Sequence, residues 1–260
     1  MQTTRPVVWD NLKVYEANTH VGHAVNAGMN KFHRQVLHIN PDFVLLQEVS
    51  PRGYQKIVNR FPRWWVVAVP GKHYAGREPH QTVILAKKSR FNLIDSNNRL
   101  ISPWIGGGKH GRLHPNRNLT VGRFKDKVSG RVIVAFSVHT WAGLTTKRAR
   151  QGHNHQIDVV ANSISWRSWN RVVIAGGDWN EDLNRPRTHA ILRMAKVGAV
   201  PTSQVLHHPA QSTSHKGRSR LDDLFFRKRP FIEAVSQWRK WIAGGSDHWG
   251  VVTHLRIKHL

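Results

Sequence analysis

Short runs of apolar, often β-branched residues recur along the chain and predict buried β-strands. The clearest run extends from Arg171 to Ala175 and leads directly into Gly176-Gly177-Asp178-Trp179-Asn180. Apolar runs without polar alternation are typical of strands that are covered on both faces. The same pattern predicts strands at 7–9, 42–49, 65–69, 81–86, 91–101, 119–124, 131–139, 221–226, 232–235 and 249–255.

Helical periodicity falls between some of these strands. Apolar residues recur at spacings of three and four over 21–38, which gives a helix there one apolar face. Further helices are predicted at 54–58, 146–168 and 186–196. Because strands outnumber helices and helices lie between them, the pattern favours a layered α/β sandwich formed by a single domain over residues 1–260.

Polar side chains follow several of the predicted strands at the point where each strand ends. Open layered folds place their chemistry at the carboxyl ends of their strands, so these side chains are candidates for one site. The chain has only 15 acidic residues and places an unusual share of them there. The candidates are Asn11, Gln47, Glu48, His139, Asp178, Asn180, Asp222, Asp247 and His248.

The residue types in this set suit the hydrolysis of a phosphate ester. Mg²⁺ binds oxygen ligands and often takes one or two carboxylates together with a substrate phosphate, and Glu48 and Asp247 fit that need. A carboxylate beside the phosphate can align and deprotonate water, which is the role we expect of Asp178. A histidine held by a carboxylate keeps one tautomer and can act as a base, as His248 would beside Asp222. Taken alone, Asp178 could also be a turn residue that bonds only its own backbone.

The order of these motifs along the chain resembles the endonuclease/exonuclease/phosphatase superfamily, the fold of pancreatic-type DNase and exonuclease-III-type repair enzymes. The resemblance extends from about Val7 to Leu255, and its specificity lies in the ordered set, because each motif alone is weak. It implies a four-layered α/β/β/α sandwich, DNase I-like, that hydrolyses phosphodiesters or phosphomonoesters with Mg²⁺. The motifs are Asn11, Gln47-Glu48, Ser137-Val138-His139, Gly177-Asp178-Trp179-Asn180, Leu221-Asp222 and Ser246-Asp247-His248.

The resemblance also implies roles around the metal. Glu48 would bind the metal, with Asn11 and Asp247 near it, and Asp178 would position or deprotonate the attacking water. The family's first motif usually has an aromatic residue directly before the asparagine, whereas Asp10 intervenes before Asn11 in this chain. Mg²⁺ is the expected cofactor, with Mn²⁺ as the alternative.

The remaining roles that the resemblance implies concern the phosphate. Asn180 and His139 would hold the phosphate and its developing charge, and His248, oriented by Asp222, would contact the scissile phosphate. Carboxamides such as that of Asn180 bind phosphate oxygens without adding negative charge. The sequence leaves open whether Asp178 or His248 is the base, and a buried His139 could instead satisfy a backbone group.

The charge of the chain points to a polyanionic partner. Its 40 Lys and Arg residues against 15 Asp and Glu give a formal net charge of +25. So large an excess opposes folding through self-repulsion unless a polyanion neutralises it, and nucleic acid is the simplest candidate. The stretch 102–118, which combines three glycines with basic side chains, predicts an exposed loop. The residues expected to bind the substrate, unless their charge is only solvated, are Arg148, Arg150, Arg218 and Arg220.

Composition excludes several other classes of protein. There is no Cys, so disulfides, thiolate metal sites and a cysteine nucleophile are excluded. The N-terminal residues lack an apolar signal core, and no apolar run approaches the length of a membrane span. We therefore expect a soluble, cytoplasmic protein that has no membrane partner.

These observations together predict a monomeric, Mg²⁺-dependent endonuclease that hydrolyses DNA by in-line attack of water on phosphorus. One alternative within the same fold is a phosphatase that acts on lipid or inositol phosphates, although a charge of +25 exceeds what a small anionic headgroup needs. The other is a nucleic-acid-binding protein without catalytic activity, although every expected catalytic residue type is present. Metal-dependent turnover and the class of substrate separate the three.

Overall fold

Two β-sheets with helices packed against them form the part of the protein that the structure describes. The computed structural model describes residues 7–20, 24, 28–67, 81–102, 117–142, 145–167, 170–207, 212–214, 217 and 219–260. The helices are α1 (Met29–Ile39), α2 (Pro51–Arg60), α3 (Lys147–Arg167), α4 (His189–Lys196) and α5 (Thr202–Val205). The strands are β1 (Trp9–Asn18), β2 (Phe43–Val49), β3 (Trp64–Val67), β4 (Gln81–Lys87), β5 (Phe91–Ser102), β6 (Arg117–Asp126), β7 (Val132–His139), β8 (Val172–Asp178), β9 (Ala199–Pro201), β10 (Asp222–Arg227), β11 (Ile232–Trp241) and β12 (Trp249–Lys258).

Each sheet has six strands and a parallel pair at its centre. The first sheet has the order β11-β12-β1-β2-β4-β3, and the second has the order β5-β6-β7-β8-β10-β9. Strands β1 and β2 are parallel, as are β7 and β8, and the other neighbours are antiparallel. The carboxyl ends of each parallel pair therefore lie side by side at one edge of their sheet.

The described residues form four layers, and a buried apolar cluster lies between each layer and the next. Residues of both sheets fill the space between them, where Phe43 of β2 lies 4.5 Å from Phe91 of β5 between ring centroids. Helices α1 and α2 cover the first sheet with side chains such as Phe32 and Ile57. Helices α3 and α4 cover the second sheet with side chains such as Ile164. This arrangement confirms the predicted α/β/β/α sandwich.

Most predicted elements are present, but several have different limits. The predicted helix over 21–38 is described only from Met29, because 21–23 and 25–27 lie outside the described residues. The predicted loop over 102–118 falls mostly outside the described residues too, and Arg117 belongs to β6. The short elements β9 and α5 were not predicted. Among the described residues, no helix combines the length and the apolarity needed to cross a membrane.

The largest difference concerns β1, which the sequence pattern ended at Asn11. The strand continues to Asn18 because apolar residues keep alternating between two buried faces. Leu12 and Val14 face the space between the sheets, whereas Tyr15 and Ala17 pack beneath the helices. The polar pair before Leu12 therefore starts the strand rather than ending it.

Candidate active site

The polar strand ends predicted from the sequence meet at one edge of the sandwich. Asn18 ends β1 opposite Gln47 of β2, and His139 ends β7 opposite Asp178 of β8. The Asn18 carboxamide spans the two sheets, because its Nδ2 donates to Asp178 Oδ2 at 2.9 Å and to Glu48 Oε1 at 3.4 Å. His139 Nε2 lies 3.5 Å from Glu48 Oε1 and 3.7 Å from Asp178 Oδ2.

A histidine–carboxylate pair completes this edge. Asp222 begins β10 opposite Asp178, and its Oδ2 lies 2.8 Å from His248 Nδ1. The other ring nitrogen of His248 lies 3.8 Å from Asp178 Oδ2. Asp222 is fully buried, whereas the His248 side chain is partly exposed, so a buried carboxylate holds a histidine that solvent can reach. The ring is thereby oriented with Nε2 toward Asp178.

Burial and neighbouring charges shift the pKa values of the central groups. Burial, followed by repulsion from Asp222, raises the pKa of Asp178 to about 7, although His248 and hydrogen bonds from Asn180 and Asn18 oppose the rise. Burial alone would lower the pKa of His248, but Asp222, Asp178 and Asp247 together raise it to about 10. The site therefore favours a charged imidazolium between carboxylates.

The segment after β8 is held in place by backbone and aromatic contacts. Gly177 must lack a side chain, because a Cβ there would overlap the carbonyl oxygen of Val138 on β7. Trp179 is fully buried, and its indole Nε1 donates to the carbonyl of Asp223 at 3.1 Å. Asn180 donates from its backbone N to Asp178 Oδ1 at 2.9 Å and from its side chain to the carbonyl of Thr140 at 2.9 Å. These contacts fix the Asp178 carboxylate at the sheet edge.

Several residues of this edge have a strained backbone. Glu48 has a φ of 56°, Asn180 has a φ of 49° and His20 has a φ of 47°. Residues other than glycine rarely adopt these values, and such strain tends to persist at functional sites, where the surrounding structure enforces it. At Glu48 the pairing of β2 with β4 also shifts register between Leu46 and Val49, which marks a bulge. The bulge turns Glu48 out of the ladder and toward His139.

Two carboxylates at the rim suit a divalent cation. The side chains of Glu48 and Asp247 are 19% and 38% exposed, so both carboxylates are open to solvent. Asp247 Oδ1 lies 2.6 Å from His20 Nδ1. Ligand atoms of Asp178, Asp222 and His248 also lie within 4.8 Å of one another among the described residues. Because Asp222 and His248 already bond each other, Glu48 and Asp247 are the better oxygen donors for a hard cation.

The structure contradicts the predicted position of Asn11. Asn11 is exposed and lies near the start of β1, opposite Arg256 of β12. Seven positions along the strand separate it from Asn18. The error follows from ending β1 too early. Asn18 is the carboxamide that lies beside Glu48 and Asp178, and the apolar residues between Asn11 and Asn18 were the signal that the strand continued.

The structure also revises the predicted substrate contacts. Arg220 is 3% exposed and lies in a buried ion pair, with its Nε 3.3 Å from Asp223 Oδ2, so the prediction that it binds the substrate is wrong. Arg148 and Arg150 are exposed in the first turn of α3, where their role stays a prediction. Arg218 lies outside the described residues.

Sequence reasoning overlooked three residues near the site. Arg117, which was placed in the loop, begins β6; burial lowers its pKa, and attraction to Glu48 and Asp178 opposes this. His153 is fully buried on α3, and its Nε2 lies 2.9 Å from the carbonyl of Trp179. Glu16, two residues before Asn18, is fully buried between the sheets. The sequence pattern gave none of them a place at this site, because their positions follow from strand pairing and packing.

Comparisons with solved structures agree with this architecture. An endonuclease/exonuclease/phosphatase from Bacteroides vulgatus superposes with a TM-score of 0.72 at 16% identity, over 95% of this chain and 99% of that one. D. rerio TDP2 complexed with single-strand DNA product gives 0.67 at 18% identity, over 95% and 99%. The mannosyl-6-phosphatase of Bacteroides thetaiotaomicron gives 0.71 at 17% identity, over 94% and 99%.

Sequence comparison gives no further relatives: no family model matches the chain, and no curated protein is similar in sequence. The likeness therefore rests on backbone geometry, which persists at identities where sequence signals fade. It covers nearly the whole chain in each comparison. The chain adopts the fold of the endonuclease/exonuclease/phosphatase superfamily, as the order of its motifs predicted.

Proposed function

We propose that the protein is a Mg²⁺-dependent phosphodiesterase, an endonuclease that hydrolyses DNA by in-line attack of water on phosphorus. One observation carries this proposal. Asp178 Oδ2 accepts a hydrogen bond from Asn18 and lies within 4 Å of the Nε2 atoms of His139 and His248. A carboxylate held among one carboxamide and two imidazoles suits a reaction in which a proton leaves water while negative charge develops on phosphate.

The roles of the individual side chains follow from this geometry. Asp178 aligns the attacking water and accepts its proton, because both ring nitrogens of the charged His248 already carry protons. His139 and the charged His248 lie where they can donate to phosphate oxygens, and Asp222 keeps the His248 ring oriented. A cation held by Glu48 and Asp247 would supply charge stabilisation to the phosphate. Arg117, whose charge acts on Glu48 and Asp178, adds a further positive group beside them.

The charge of the chain supports nucleic acid as the substrate. A net charge of +25 suits a polyanion that contacts many basic residues at once, and Arg148 and Arg150 are exposed. The similarity to TDP2, solved with a DNA product, supports the same substrate class. The alternative of a phosphatase draws support from the similarity to a mannosyl-6-phosphatase. A small phosphate substrate would contact only a few of the basic residues, so that alternative does not account for the net charge of the chain.

A plasmid-nicking assay tests the proposal directly. Wild-type protein should nick supercoiled DNA with Mg²⁺ or Mn²⁺ and not with EDTA. Asp178→Asn keeps the side-chain shape and removes the proton acceptor, so nicking should fall about 10²- to 10⁴-fold. Asp95→Asn is the matched control, because the Asp95 side chain is 54% exposed on β5 and pairs only with Arg123 among the ion pairs of the described residues.

Three results would redirect the proposal. DNA that is retarded on a gel and stays uncut with every divalent cation would favour the non-catalytic binder. Release of inorganic phosphate from sugar or inositol phosphates, without cleavage of DNA or RNA, would favour the phosphatase. Equal loss of nicking in Asp95→Asn and Asp178→Asn would show that the site has been misplaced.

A further inference from the structure

Two tryptophan rings lie beside the candidate active site at the end of β11 and the start of β12. Trp249 directly follows His248, and Trp241 pairs with Trp249 in the antiparallel ladder. The two rings meet edge to face, with centroids 5.1 Å apart and planes at 86°. Trp241 is 49% exposed, so the residue lies at the surface of the protein. The pair forms an aromatic surface one residue from His248.

A cation is fixed against this aromatic surface. The guanidinium of Arg239 lies 5.1 Å from the centroid of the Trp249 ring. Arg239 and Trp241 lie on the same face of β11, because side chains alternate along a strand. Arg239 Nη1 also donates to the carbonyl of Ser212, which holds the guanidinium in place. The surface therefore combines an exposed ring, a second ring at right angles and a positive charge.

This combination is typical of sites that bind unpaired nucleobases, in which bases stack on aromatic rings and cations contact the backbone. We infer that Trp241 and Trp249 form a subsite that stacks an unpaired base next to the scissile phosphate. The inference rests on the proposed function and narrows its substrate to nucleic acid with a single-stranded segment at the site. A phosphate near His248 and a base on Trp241 would then belong to neighbouring nucleotides.

A base suits this surface better than a sugar ring does. A sugar can also pack on tryptophan, but a small sugar phosphate brings too little negative charge to match a net charge of +25. A base inside a duplex already stacks on its neighbours, so only an unpaired base gains from Trp241. Trp249 is joined to His248 by one peptide bond, so the surface lies at the start of the strand that follows the candidate site.

Binding of a labelled oligonucleotide tests the subsite without relying on turnover. The probe is a fluorescein-labelled single-stranded DNA dodecamer, titrated with the full chain in EDTA and followed by anisotropy. Trp241→Ala should weaken binding roughly 5- to 150-fold, the range that loss of one stacked base implies. Trp166→Ala is the matched control, because Trp166 is 89% exposed near the end of α3, and it should bind as wild type does.

Two further measurements identify the stacked base as the cause. Trp241→Phe keeps a flat ring and should recover most of the affinity. A dodecamer in which every site is abasic has the same charge and no bases, so wild type and Trp241→Ala should bind it equally. Equal affinity of wild type and Trp241→Ala for the normal dodecamer would overturn the subsite. So would an equal loss on the abasic strand, because that loss would be structural.

The outcomes separate this inference from the proposed function. Wild type that cleaves no nucleic acid with any divalent cation contradicts the proposed function, while the binding data in EDTA still decide the subsite. Cleavage that depends on Asp178, together with unaltered binding by Trp241→Ala, retains the function and removes the subsite. A duplex of the same sequence should be less sensitive to Trp241→Ala, and equal sensitivity would contradict a preference for unpaired bases.

Discussion

Asn18 joins the two sheets at the point where the candidate chemistry lies. Its carboxamide donates to Asp178 of one sheet and Glu48 of the other, while its Oδ1 accepts a hydrogen bond from the backbone N of His20. These hydrogen bonds fix the amide in an orientation that aligns both carboxylates. Partners that orient metal ligands typically contribute one to two orders of magnitude to activity or metal affinity.

Replacing Asn18 should therefore damage the activity without unfolding the protein. We expect Asn18→Ala to lower nicking about 10- to 100-fold, because both carboxylates lose the donor that aligns them. Asn11→Ala is the matched control, since Asn11 is exposed at the far end of the same strand. Initial rates on plasmid DNA, measured at saturating Mg²⁺, provide the comparison. Equal rates for the two variants would remove Asn18 from the site.

Glu16 is a carboxylic acid that is buried between the sheets, two residues before Asn18 on β1. Both its carboxylate oxygens are buried without a hydrogen-bond partner among the described residues. Burial, with repulsion from Asp222 and Asp223, raises its pKa well above the ordinary value. The folded protein therefore holds Glu16 protonated at a pH where the unfolded chain has lost that proton. Folding then takes up a proton, so stability is greatest below the unfolded pKa and falls as pH rises through the folded one.

Glu16→Gln should therefore stabilise the protein increasingly as pH rises. Between the unfolded pKa of about 4.3 and the folded pKa, the free energy of unfolding should diverge from wild type by about 1.4 kcal/mol per pH unit. Urea denaturation at pH 5, 6 and 7 measures the divergence. Glu233→Gln is the control, because Glu233 is partly exposed and pairs with Arg256 at the surface. A constant difference between wild type and Glu16→Gln would contradict a protonated Glu16.

At the scale of elements, the close approach of β7 and β8 sets the position of the site. Gly177 permits it, since a Cβ there would overlap the Val138 carbonyl of the neighbouring strand. We expect Gly177→Ala to lower the free energy of unfolding by about 2–4 kcal/mol, because backbone must move apart. Gly217→Ala should change stability little, as its nearest neighbours lie 3.8 Å away. Thermal unfolding of both variants tests the contrast.

The sequence predicted correctly those strands that are continuous apolar runs. It misjudged positions whose burial depends on contacts with other parts of the chain. Apolar runs located β2, β7 and β8, and the polar residues after them meet as expected. Asn11 was chosen because a polar pair usually ends a strand, although the apolar residues after it indicate that the strand continues, as its pairing with β12 shows. Arg220 resembles a substrate contact in sequence. The contact that the sequence does not reveal is the buried hydrogen bond from its guanidinium to Gln237 of β11, which adds to its ion pair with Asp223.

At the scale of the whole molecule, the positive charge predicts a salt-sensitive complex with DNA. The affinity of uncleaving Asp178→Asn for duplex DNA should fall linearly on a double-logarithmic plot against salt. Replacing Arg148 and Arg150 by Gln should reduce the slope by up to about 1.8, because each phosphate contact contributes about 0.9. Replacing Lys125 and Lys127, exposed at the opposite end of the second sheet, should leave affinity and slope nearly unchanged. Matching slopes in the two double variants would assign the effect to net charge alone.

The pairing of β1 with β12 has a consequence for how the protein is made. Strand β1 receives β12 as its neighbour only after more than two hundred further residues have been synthesised. Asp247 and His248 directly precede β12, whereas Asn18 is the last residue of β1. A growing chain therefore cannot assemble the candidate active site until Asp247 and His248 have been synthesised. With the proposed activity, the nascent chain would be unable to cleave nearby nucleic acid before that point.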